Sequence, residues 1–216
     1  LRVMTANDIG ATFLGEVVAG FALRYPNVEV ETLLTQRTVN LVEEGVDVAL
    51  RAAAKLPDSS LIARKIGDLE QELYASLDYV KAHGLPATVD ALDDHACVLF
   101  RPREGYATWT FHTHGARTDQ TKKVRGRIGT DDFSFMRSAL LAGAGIGLIP
   151  RIVVARDVEA GRLVRVLPQC ASRGAALFFV HAPAPVIPAK IALFRDFVVD
   201  ACARLGVTNA GLTHEV

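Results

Sequence analysis

The sequence predicts an α/β protein built as two Rossmann-like lobes with a central cleft. Strand-like and helix-like segments alternate over residues 1–52, and a second helix–strand pair fills residues 130–151. A third pair closes the pattern over residues 175–205. Such alternation is typical of parallel sheets whose crossovers are helices. The chain has 216 residues, 50% of them hydrophobic, which is enough for one large domain or two small ones.

The first lobe begins with the pattern strand, helix, strand, helix, strand. Residues 1–5 form a short apolar run, after which Asn7 or Asp8 is expected to cap a helix. Apolar residues then recur at helical spacing as far as Tyr25-Pro26, where the proline ends the helix. The remaining elements are a strand, a short helix and a strand over residues 28–34, 38–44 and 46–52.

The clearest local unit is TDDFSFMRSALLAGAGIGLIPR, residues 130–151. Thr130 and the two aspartates after it can cap the first turn of a helix. Gly143 is expected to end this helix, and a buried strand follows over residues 146–149. The glycines do not fit a dinucleotide fingerprint, because the helix precedes the strand and the spacing is GxGxG. The capped helix end instead suits an anionic or carbonyl-bearing small molecule.

Further segments complete the two lobes. They are extended segments over residues 61–77, a short helix over 79–84, strands over 97–100, 108–112 and 123–129, a helix over 153–160, strands over 163–167 and 175–180, and a helix over 191–205. We expect the chain to cross between lobes near residues 69–76 and 170–176. The predicted boundaries are residues 1–72 with 174–205 for lobe I, 73–173 for lobe II, and 206–216 for a C-terminal tail.

The ends of the predicted strands carry polar and cationic side chains. They are Thr5, Thr35, Arg51, Phe100-Arg101 and Thr130. Ligands of open α/β sheets bind beyond the carboxyl ends of the strands, so we expect these residues to face the cleft. Two alternatives stay open: each arginine could pair with a nearby carboxylate, and each threonine could cap backbone groups.

The sequence contains no motif typical of a catalytic or metal site. No serine stands in GxSxG, and neither HExxH nor GxxxxGK[ST] occurs. His112 and His114 alternate on a predicted strand but have no carboxylate or cysteine that can be placed beside them, so we expect surface histidines. Three widely spaced cysteines form no disulfide framework, which fits a reducing cytoplasm. We expect no cofactor and no metal.

Charge is balanced overall but differs between the two halves of the chain. Residues 1–100 carry 8 Lys/Arg against 15 Asp/Glu, a net charge of −7, and residues 101–216 carry 16 against 9, a net charge of +7. Two electrostatically distinct lobes, a contact between copies, or plain solvated charges would each explain this. The basic set Lys122, Lys123, Arg125 and Arg127 lacks aromatic neighbours and is interpreted as a solvated strand edge.

Five stretches of the chain form a set when they are taken in order. They are LRVMTANDIGATFLGEVVAGFALRYPNVEVE, LVEEGVDVALRAA, DYVKAHGLPATVDALDDHACVLF, TDDFSFMRSALLAGAGIGLIPRIVVARDVEAGRLVRVLP and VHAPAPVIPAKIALFRDFV. Together they resemble the effector-binding domain of LysR-type transcriptional regulators over about residues 1–205. The resemblance implies two α/β lobes of the type 2 periplasmic-binding-protein fold, with a small effector in the cleft.

The resemblance also implies a longer protein with further partners. Regulators of this family carry an N-terminal winged helix-turn-helix, which has no counterpart in these 216 residues. The chain begins at Leu1 within a strand-like run, and we expect it to be a fragment. DNA is therefore expected as a partner only through the missing domain. Homodimers or homotetramers in the cytoplasm are expected, without membrane contact.

Family effector contacts fall on the strand ends already identified. The implied effector-binding residues are Thr5, Asn7, Thr35, Arg51, Phe100, Arg101, Thr130 and Phe133. Among them, Arg101 could bind an anion in bidentate fashion. Asp131 stands where the family often has asparagine, which places a carboxylate beside the expected anion site.

Two other function classes fit parts of the pattern. A stand-alone solute-binding protein would use the same lobes, but the sequence shows no signal peptide. A small α/β enzyme would need a catalytic constellation, which sequence motifs do not reveal here because triads are spatial. We therefore prefer a ligand-sensing regulatory domain that binds a small anionic or aromatic effector and is not an enzyme.

Overall fold

A computed structural model of the chain describes residues 1–37, 39–113 and 118–207. The strands are β1 (Arg2–Thr5), β2 (Glu31–Leu34), β3 (Val48–Ala53), β4 (Ile62–Asp68), β5 (Gln71–Ser76), β6 (Cys97–Phe100), β7 (Tyr106–Thr113), β8 (Gln120–Arg125), β9 (Ile128–Thr130), β10 (Ile146–Pro150), β11 (Leu163–Val166), β12 (Cys170–Ala171) and β13 (Ala176–His181). The helices are α1 (Asn7–Ile9), which continues through a π-helical segment (Gly10–Leu14) into α2 (Gly15–Arg24), then α3 (Leu77–His83), a 3-10 helix (Asp90–Asp94), α4 (Phe133–Leu141), α5 (Arg151–Glu159) and α6 (Ala189–Arg204). Among the described residues, β2 to β5, β6 to β9 and β11 to β13 follow one another without an intervening helix, so the alternation is partial. The structure is nevertheless of the predicted α/β class.

The chain divides into two compact units. Unit 1 combines Leu1–Leu69 with the described residues from Ala175 onward, and unit 2 is Glu70–Gly174. Unit 1 holds a five-stranded sheet of order β2-β1-β3-β13-β4. Unit 2 holds a five-stranded sheet of order β11-β5-β10-β6-β9 and a three-stranded sheet of order β12-β7-β8. Most of the tail predicted over residues 206–216 lies outside the described residues, which end at residue 207.

The sheet of unit 1 is mixed. β1 runs parallel to β2 and β3, as predicted, but β13 runs antiparallel to both β3 and β4. The prediction of a parallel sheet is therefore wrong for the β13 pairs. A parallel neighbour needs a long crossover from the preceding strand. β13 instead enters the sheet after the chain returns from unit 2, so no helical crossover fixes its direction.

The helix predicted over residues 38–44 is also wrong. Residues 41–45 form turns, and Thr38 lies outside the described part of the chain. The Asn40 side chain accepts a hydrogen bond from the Val42 N–H at 3.1 Å. Such a local bond offers the backbone an alternative to a helix, and so short a segment nucleates a helix poorly.

The start of the first helix differs from the predicted cap. Ala6 is the residue before the helix, and no side chain caps it there. Asn7 is the first helical residue, while the Asp8 carboxylate accepts from the Ile9 N–H at 2.8 Å. The predicted cap at Asn7 or Asp8 is therefore wrong, because both residues already lie within the helix.

Aromatic packing fixes the helices of unit 1 on its sheet. Phe21 of α2 and Phe194 of α6 are fully buried, with ring centroids 5.1 Å apart at an interplanar angle of 85°. Edge-to-face contact of this kind is favourable beyond the area it buries. A separate buried cluster contains Met4, Ala49 and Val180, which come from three adjacent strands. The carboxyl end of β1 is thereby fixed at Thr5.

The larger sheet of unit 2 places the carboxyl ends of two parallel strands at one edge. β6 runs parallel to β9 and β10, whereas β5 runs antiparallel to β10 and β11. The carboxyl ends of β6 and β9 therefore lie at one edge of the sheet, and the amino ends of β6, β9 and β10 lie at the opposite edge. The prediction of a parallel sheet is wrong for β5, the strand through which the chain enters unit 2.

One predicted strand of unit 2 is split. Residues 123–129 were expected to be continuous, but β8 ends at Arg125 and β9 begins at Ile128. Gly126 lies between them, and a Cβ built there would stand 2.5 Å from the Cys97 carbonyl oxygen. The close approach of these two backbones explains both the glycine and the break in the strand.

The cysteines and histidines give no metal site in the part of the chain that the structure describes. Cys97, Cys170 and Cys202 are free and buried, and burial raises the pKa of Cys97 and Cys202 to about 12. His112 Nε2 lies 3.2 Å from Glu70 Oε1, so the expectation that no carboxylate lies beside it is wrong, because Glu70 is distant in sequence. His114 lies outside the described residues. Within the described ranges, no group of three or more His, Cys, Asp or Glu could hold a metal. The same ranges contain no helix long and apolar enough to span a membrane.

Replacing Ser76 by alanine is expected to cost about 1 kcal/mol of stability. The Ser76 hydroxyl caps α3 by accepting from the buried Tyr79 N–H at 3.1 Å. Ser138→Ala is the matched control, because its exposed hydroxyl only bonds the Ser134 carbonyl within α4. Urea unfolding of both variants measures the difference. Equal losses would show that the cap at Ser76 contributes nothing of its own.

Candidate functional site

Four predicted site residues come together in unit 2. Phe100 at the end of β6 pairs with Thr130 at the end of β9, and the Arg101 N–H donates to the Thr130 carbonyl at 2.6 Å. Phe133, the first residue of α4, stacks flat on Phe100 with ring centroids 4.0 Å apart and an interplanar angle of 9°. The Arg101 guanidinium lies 5.1 Å from the centroid of the Phe100 ring. The parallel register thus gathers two aromatic rings, a cation and a hydroxyl.

The backbone after β6 is held in an uncommon conformation. Arg101 has a φ of 45°, and Glu104 and Gly105 have φ values of 51° and 78°. Arg103 and Tyr106 close the turn by exchanging backbone hydrogen bonds of 2.8 and 2.9 Å. A residue other than glycine costs energy in this region of φ, and such residues concentrate at functional sites. The turn therefore supports a functional assignment for Arg101.

A cavity of about 430 Å³ opens beside this turn. Its lining residues are Phe100, Arg101, Arg103, Glu104, Tyr106, Ala107, Thr108 and Lys123. Three of these are cationic and one is acidic. In the part of the chain that the structure describes, Arg101, Arg103 and Lys123 form no ion pair. Cations without a carboxylate partner in a concave site favour an anionic ligand.

Six residues of this cavity were not among the predicted site residues. Three of these six, Arg103, Tyr106 and Lys123, carry a cationic or aromatic side chain. The Lys123 ammonium lies 4.4 Å from the centroid of the Tyr106 ring, so the statement that the basic set lacks aromatic neighbours is wrong. β8 does form an edge of its sheet, as predicted. Only the pairing of β7 with β8, which sets Thr108 opposite Lys123, brings these side chains to the cavity.

The polar groups at the start of α4 bond mainly to one another. Asp132 is the residue that caps the helix, and its Oδ1 accepts from the Phe135 N–H at 3.0 Å. The Thr130 hydroxyl accepts from the Asp132 N–H at 3.1 Å and donates to the Asp132 carbonyl at 3.3 Å. Asp131 is exposed. The threonine therefore has the local structural role that the sequence analysis left open.

The other four predicted residues lie in unit 1, and three of them meet at adjacent strand ends. The Thr35 N–H donates to the Thr5 carbonyl at 2.9 Å, and the Thr5 hydroxyl donates to the Leu50 carbonyl at 3.1 Å. Arg51 follows Leu50 on β3, and its Nη2 donates to the Val39 carbonyl at 3.4 Å. Asn7 is exposed at the first position of α1. The parallel pairing of β1 with β2 and β3 thus aligns the first three.

These contacts define what the residues of unit 1 can offer a ligand. Thr5 is buried, and its hydroxyl proton is directed at Leu50, so it could donate to a ligand only by giving up that bond. Arg51 forms no ion pair with any described carboxylate, which removes the alternative left open for it. A half-buried guanidinium bound only to a carbonyl retains donors for an anion.

Comparison with known proteins places the chain in a family of regulators. Residues 1–203 match the family described as the LysR substrate binding domain. YhjC, an uncharacterised regulator of the helix-turn-helix type from Escherichia coli, is 30% identical over 198 residues, which is 92% of this chain and 66% of YhjC. CrgA from Neisseria meningitidis serogroup C is 28% identical over 202 residues, which is 93% of this chain and 66% of CrgA. The chain spans about two thirds of the length of the curated relatives it matches.

Solved structures give the same result. The regulatory domain of CrgA matches with a TM-score of 0.77 at 27% identity, covering 93% of this chain and 97% of that domain. The regulatory domain of AphB from Vibrio vulnificus matches with a TM-score of 0.73 at 28% identity, covering 93% and 96%. These matches confirm the type 2 periplasmic-binding-protein fold and favour a regulator over a transport protein. The chain belongs to the LysR substrate-binding domain family.

Proposed function

We propose that this chain is the ligand-sensing part of a LysR-type transcriptional regulator. Its effector is a small anion with a flat apolar body. The observation that carries this proposal is the stacked pair Phe100 and Phe133 beside the cationic cavity of unit 2. Phe100 lines the cavity and offers an apolar contact, and the buried Phe133 ring holds it in place by stacking. Arg101 and its cationic neighbours supply charge-assisted hydrogen bonds to a carboxylate or similar group.

The proposed effector-binding residues form two sets, one in each unit. They are Thr5, Asn7, Thr35 and Arg51 of unit 1, and Phe100, Arg101, Thr130 and Phe133 of unit 2. The hydrogen bonds at the strand ends support this choice, because they orient each group at a fixed position before a ligand binds. Each set is tested by its own substitutions.

The whole regulator is proposed to bind DNA through a helix-turn-helix part outside this chain. The names of the relatives, which are transcriptional regulators of the helix-turn-helix type, support that assignment. We also propose a homodimer or homotetramer that acts in the cytoplasm by binding rather than by catalysis. Binding of the effector would then change the affinity for DNA, as a coupling between two sites.

The test is thermal unfolding of the chain against small carboxylates, aromatics and amino acids. A ligand present at 100 times its Kd should add about 2.7 kcal/mol to stability. Arg101→Gln is expected to weaken binding about tenfold or more, because a hydrogen bond to a charged group is worth about 1.5–3 kcal/mol. Thr5→Val should weaken binding less, because the Thr5 hydroxyl exchanges its bond to Leu50 for a bond to the ligand. Arg173→Gln is the control, since Arg173 is an exposed arginine that lines neither described cavity of unit 2.

Two results would contradict the proposed effector site. If Arg101→Gln and Thr5→Val both bind the effector as tightly as Arg173→Gln does, the effector does not contact these strand ends. If no compound in the panel stabilises the chain, the proposal of a small anionic effector is wrong.

A further inference from the structure

Unit 2 contains a second cavity at the opposite edge of its larger sheet. It has a volume of about 590 Å³. Its lining residues are Asp93, His95, Ala96, Cys97, Arg125, Gly126, Arg127, Ile128 and Ala144. Cys97 begins β6, Ile128 begins β9 and Ala144 precedes β10, so the cavity lies at the amino ends of these parallel strands. None of the proposed effector-binding residues lines it.

The walls of this cavity are fixed by contacts from outside it. The Tyr79 hydroxyl accepts from the Ala96 N–H at 3.0 Å and lies 3.1 Å from Nδ1 of His95. In the tautomer whose proton is on Nε2, the Tyr79 hydroxyl donates to Nδ1 and the Nε2–H is a free donor. On the other wall, Gly126 approaches the Cys97 carbonyl so closely that a Cβ would stand 2.5 Å from its oxygen. A site with walls held in this way needs little ordering when a ligand binds.

The charge inside the cavity is positive. Asp93 is its acidic residue, and Oδ2 of Asp93 accepts from the Lys122 ammonium at 2.6 Å. Arg125 and Arg127 flank Gly126, and both are exposed. Over the described ranges, neither guanidinium forms an ion pair. The aspartate is therefore neutralised by a lysine, while two arginines keep their full capacity to bind an anion.

The remaining lining is apolar and small. Ala96, Cys97, Ile128 and Ala144 present no charged group, and Cys97 is buried. The volume lies within the range of about 300–1,000 Å³ that is usual for small-molecule sites. An apolar wall in the same cavity as two guanidinium groups matches a molecule with a carboxylate at one end and a ring at the other.

We propose that this second cavity binds a small aromatic carboxylate. Arg125 and Arg127 hold the carboxylate, the Nε2–H of His95 supplies a further donor, and the ring lies on the wall formed by Cys97 and Ile128. This site is distinct from the cavity beside Arg101, since no residue lines both cavities. It therefore binds its ligand whether or not the residues around Arg101 are intact.

Amide NMR spectra of the 216-residue chain titrated with sodium benzoate test the proposal. Signals of Ala96, Ile128 and Ala144 should shift and saturate in the millimolar range or below. The double variant Arg125→Gln, Arg127→Gln should bind about tenfold more weakly or worse, from the lost charge-assisted hydrogen bonds. Arg103→Gln, which alters the other cavity, should leave these shifts unchanged. Benzyl alcohol, which has the ring without the charge, should bind about tenfold more weakly than benzoate.

Several results would overturn this inference. They are shifts that never saturate, shifts that survive the double substitution, and shifts lost in Arg103→Gln. Inorganic phosphate bound as tightly as benzoate would show a simple cationic patch rather than a site for an aromatic carboxylate. If the glutamine variant gives an altered spectrum without ligand, Arg125→Lys, Arg127→Lys takes its place. It keeps both charges but loses bidentate geometry, and undiminished benzoate binding there would contradict the assigned role of the arginines.

Discussion

Replacing Gly145 by alanine is expected to lower the free energy of unfolding by about 3 kcal/mol or more. Gly145 has a φ of 145°, a conformation that essentially only glycine adopts without strain. A Cβ at this position would also stand 2.3 Å from the Ala96 carbonyl oxygen. That carbonyl accepts from the Ile146 N–H at 2.9 Å. It therefore cannot move aside without losing the hydrogen bond that joins β10 to the residue before β6. Strain and backbone overlap therefore add.

Gly161→Ala is the matched control for this prediction. Gly161 has a φ of 68°, but nothing lies within 4 Å of a Cβ built there. Its replacement should cost only about 1–2 kcal/mol, the penalty for a left-handed residue with a side chain. Urea unfolding of both variants separates the cost of the positive φ from the cost of the overlap with the Ala96 carbonyl. If Gly145→Ala is no less stable than Gly161→Ala, the close approach to Ala96 has no energetic weight.

The two glycines near α4 show where sequence reasoning ends. Gly143 was predicted to stop the helix, and its φ of 80° after the helix end confirms this local effect. The requirement for glycine at position 145 comes from Ala96, which is distant in sequence. Helix stops follow from the conformation of one residue, whereas close backbone contacts depend on how strands pair.

Strand pairing explains the other differences between sequence and structure. Short apolar runs predicted most strands, and β6 and β9 end at Phe100 and Thr130 close to the predicted positions. Phe100, Arg101, Thr130 and Phe133 were each predicted to bind the effector, and the parallel register brings them close together. Antiparallel β13 was not predicted, because its direction depends on the path of the chain through the other unit.

The same reasoning applies to the residues that line the cavities. Lys123 reaches the cavity beside Arg101 only through the antiparallel register of β7 and β8. A rule that places ligands at carboxyl strand ends cannot find the second cavity, which lies at amino ends. Arg125 and Arg127 were noticed as basic residues, but the glycine between them gave no indication of its contact with Cys97.

Asp157→Asn is the second substitution with a large expected effect. Asp157 is fully buried in α5, where Oδ2 accepts from Arg137 Nε at 2.5 Å and Oδ1 accepts from Arg162 Nη2 at 2.7 Å. These bonds join α5 to α4 and to the start of β11. Removing one member of a buried ion pair costs about 3–5 kcal/mol. Because the side chains of Arg137 and Arg162 are 31% and 54% exposed, water can solvate them, and we expect a loss of about 2–3 kcal/mol.

The effect of Asp157→Asn should depend on pH in a defined direction. Burial alone would raise the pKa of Asp157, but hydrogen bonds and charges from Arg137 and Arg162 outweigh it and lower the pKa. A lowered pKa in the folded state adds stability above the unfolded pKa of about 3.9, and this stability is lost as the pH falls below it. The difference in unfolding free energy between wild type and Asp157→Asn should therefore stay constant from neutral pH to about pH 5 and shrink below about pH 4.

Urea unfolding at a series of pH values measures this difference directly. Asp196→Asn is the control, because Asp196 is 63% exposed and pairs with Arg195 at 2.8 Å on the surface of α6. An exposed pair of this kind contributes less than about 1 kcal/mol, so the control should lie close to wild type at every pH. A gap for Asp157→Asn that stays undiminished in strong acid would mean that the substitution acts through packing and not through the carboxylate charge. If Asp157→Asn lowers the free energy of unfolding no more than Asp196→Asn does at neutral pH, the buried ion pairs of Asp157 contribute no more than an exposed pair.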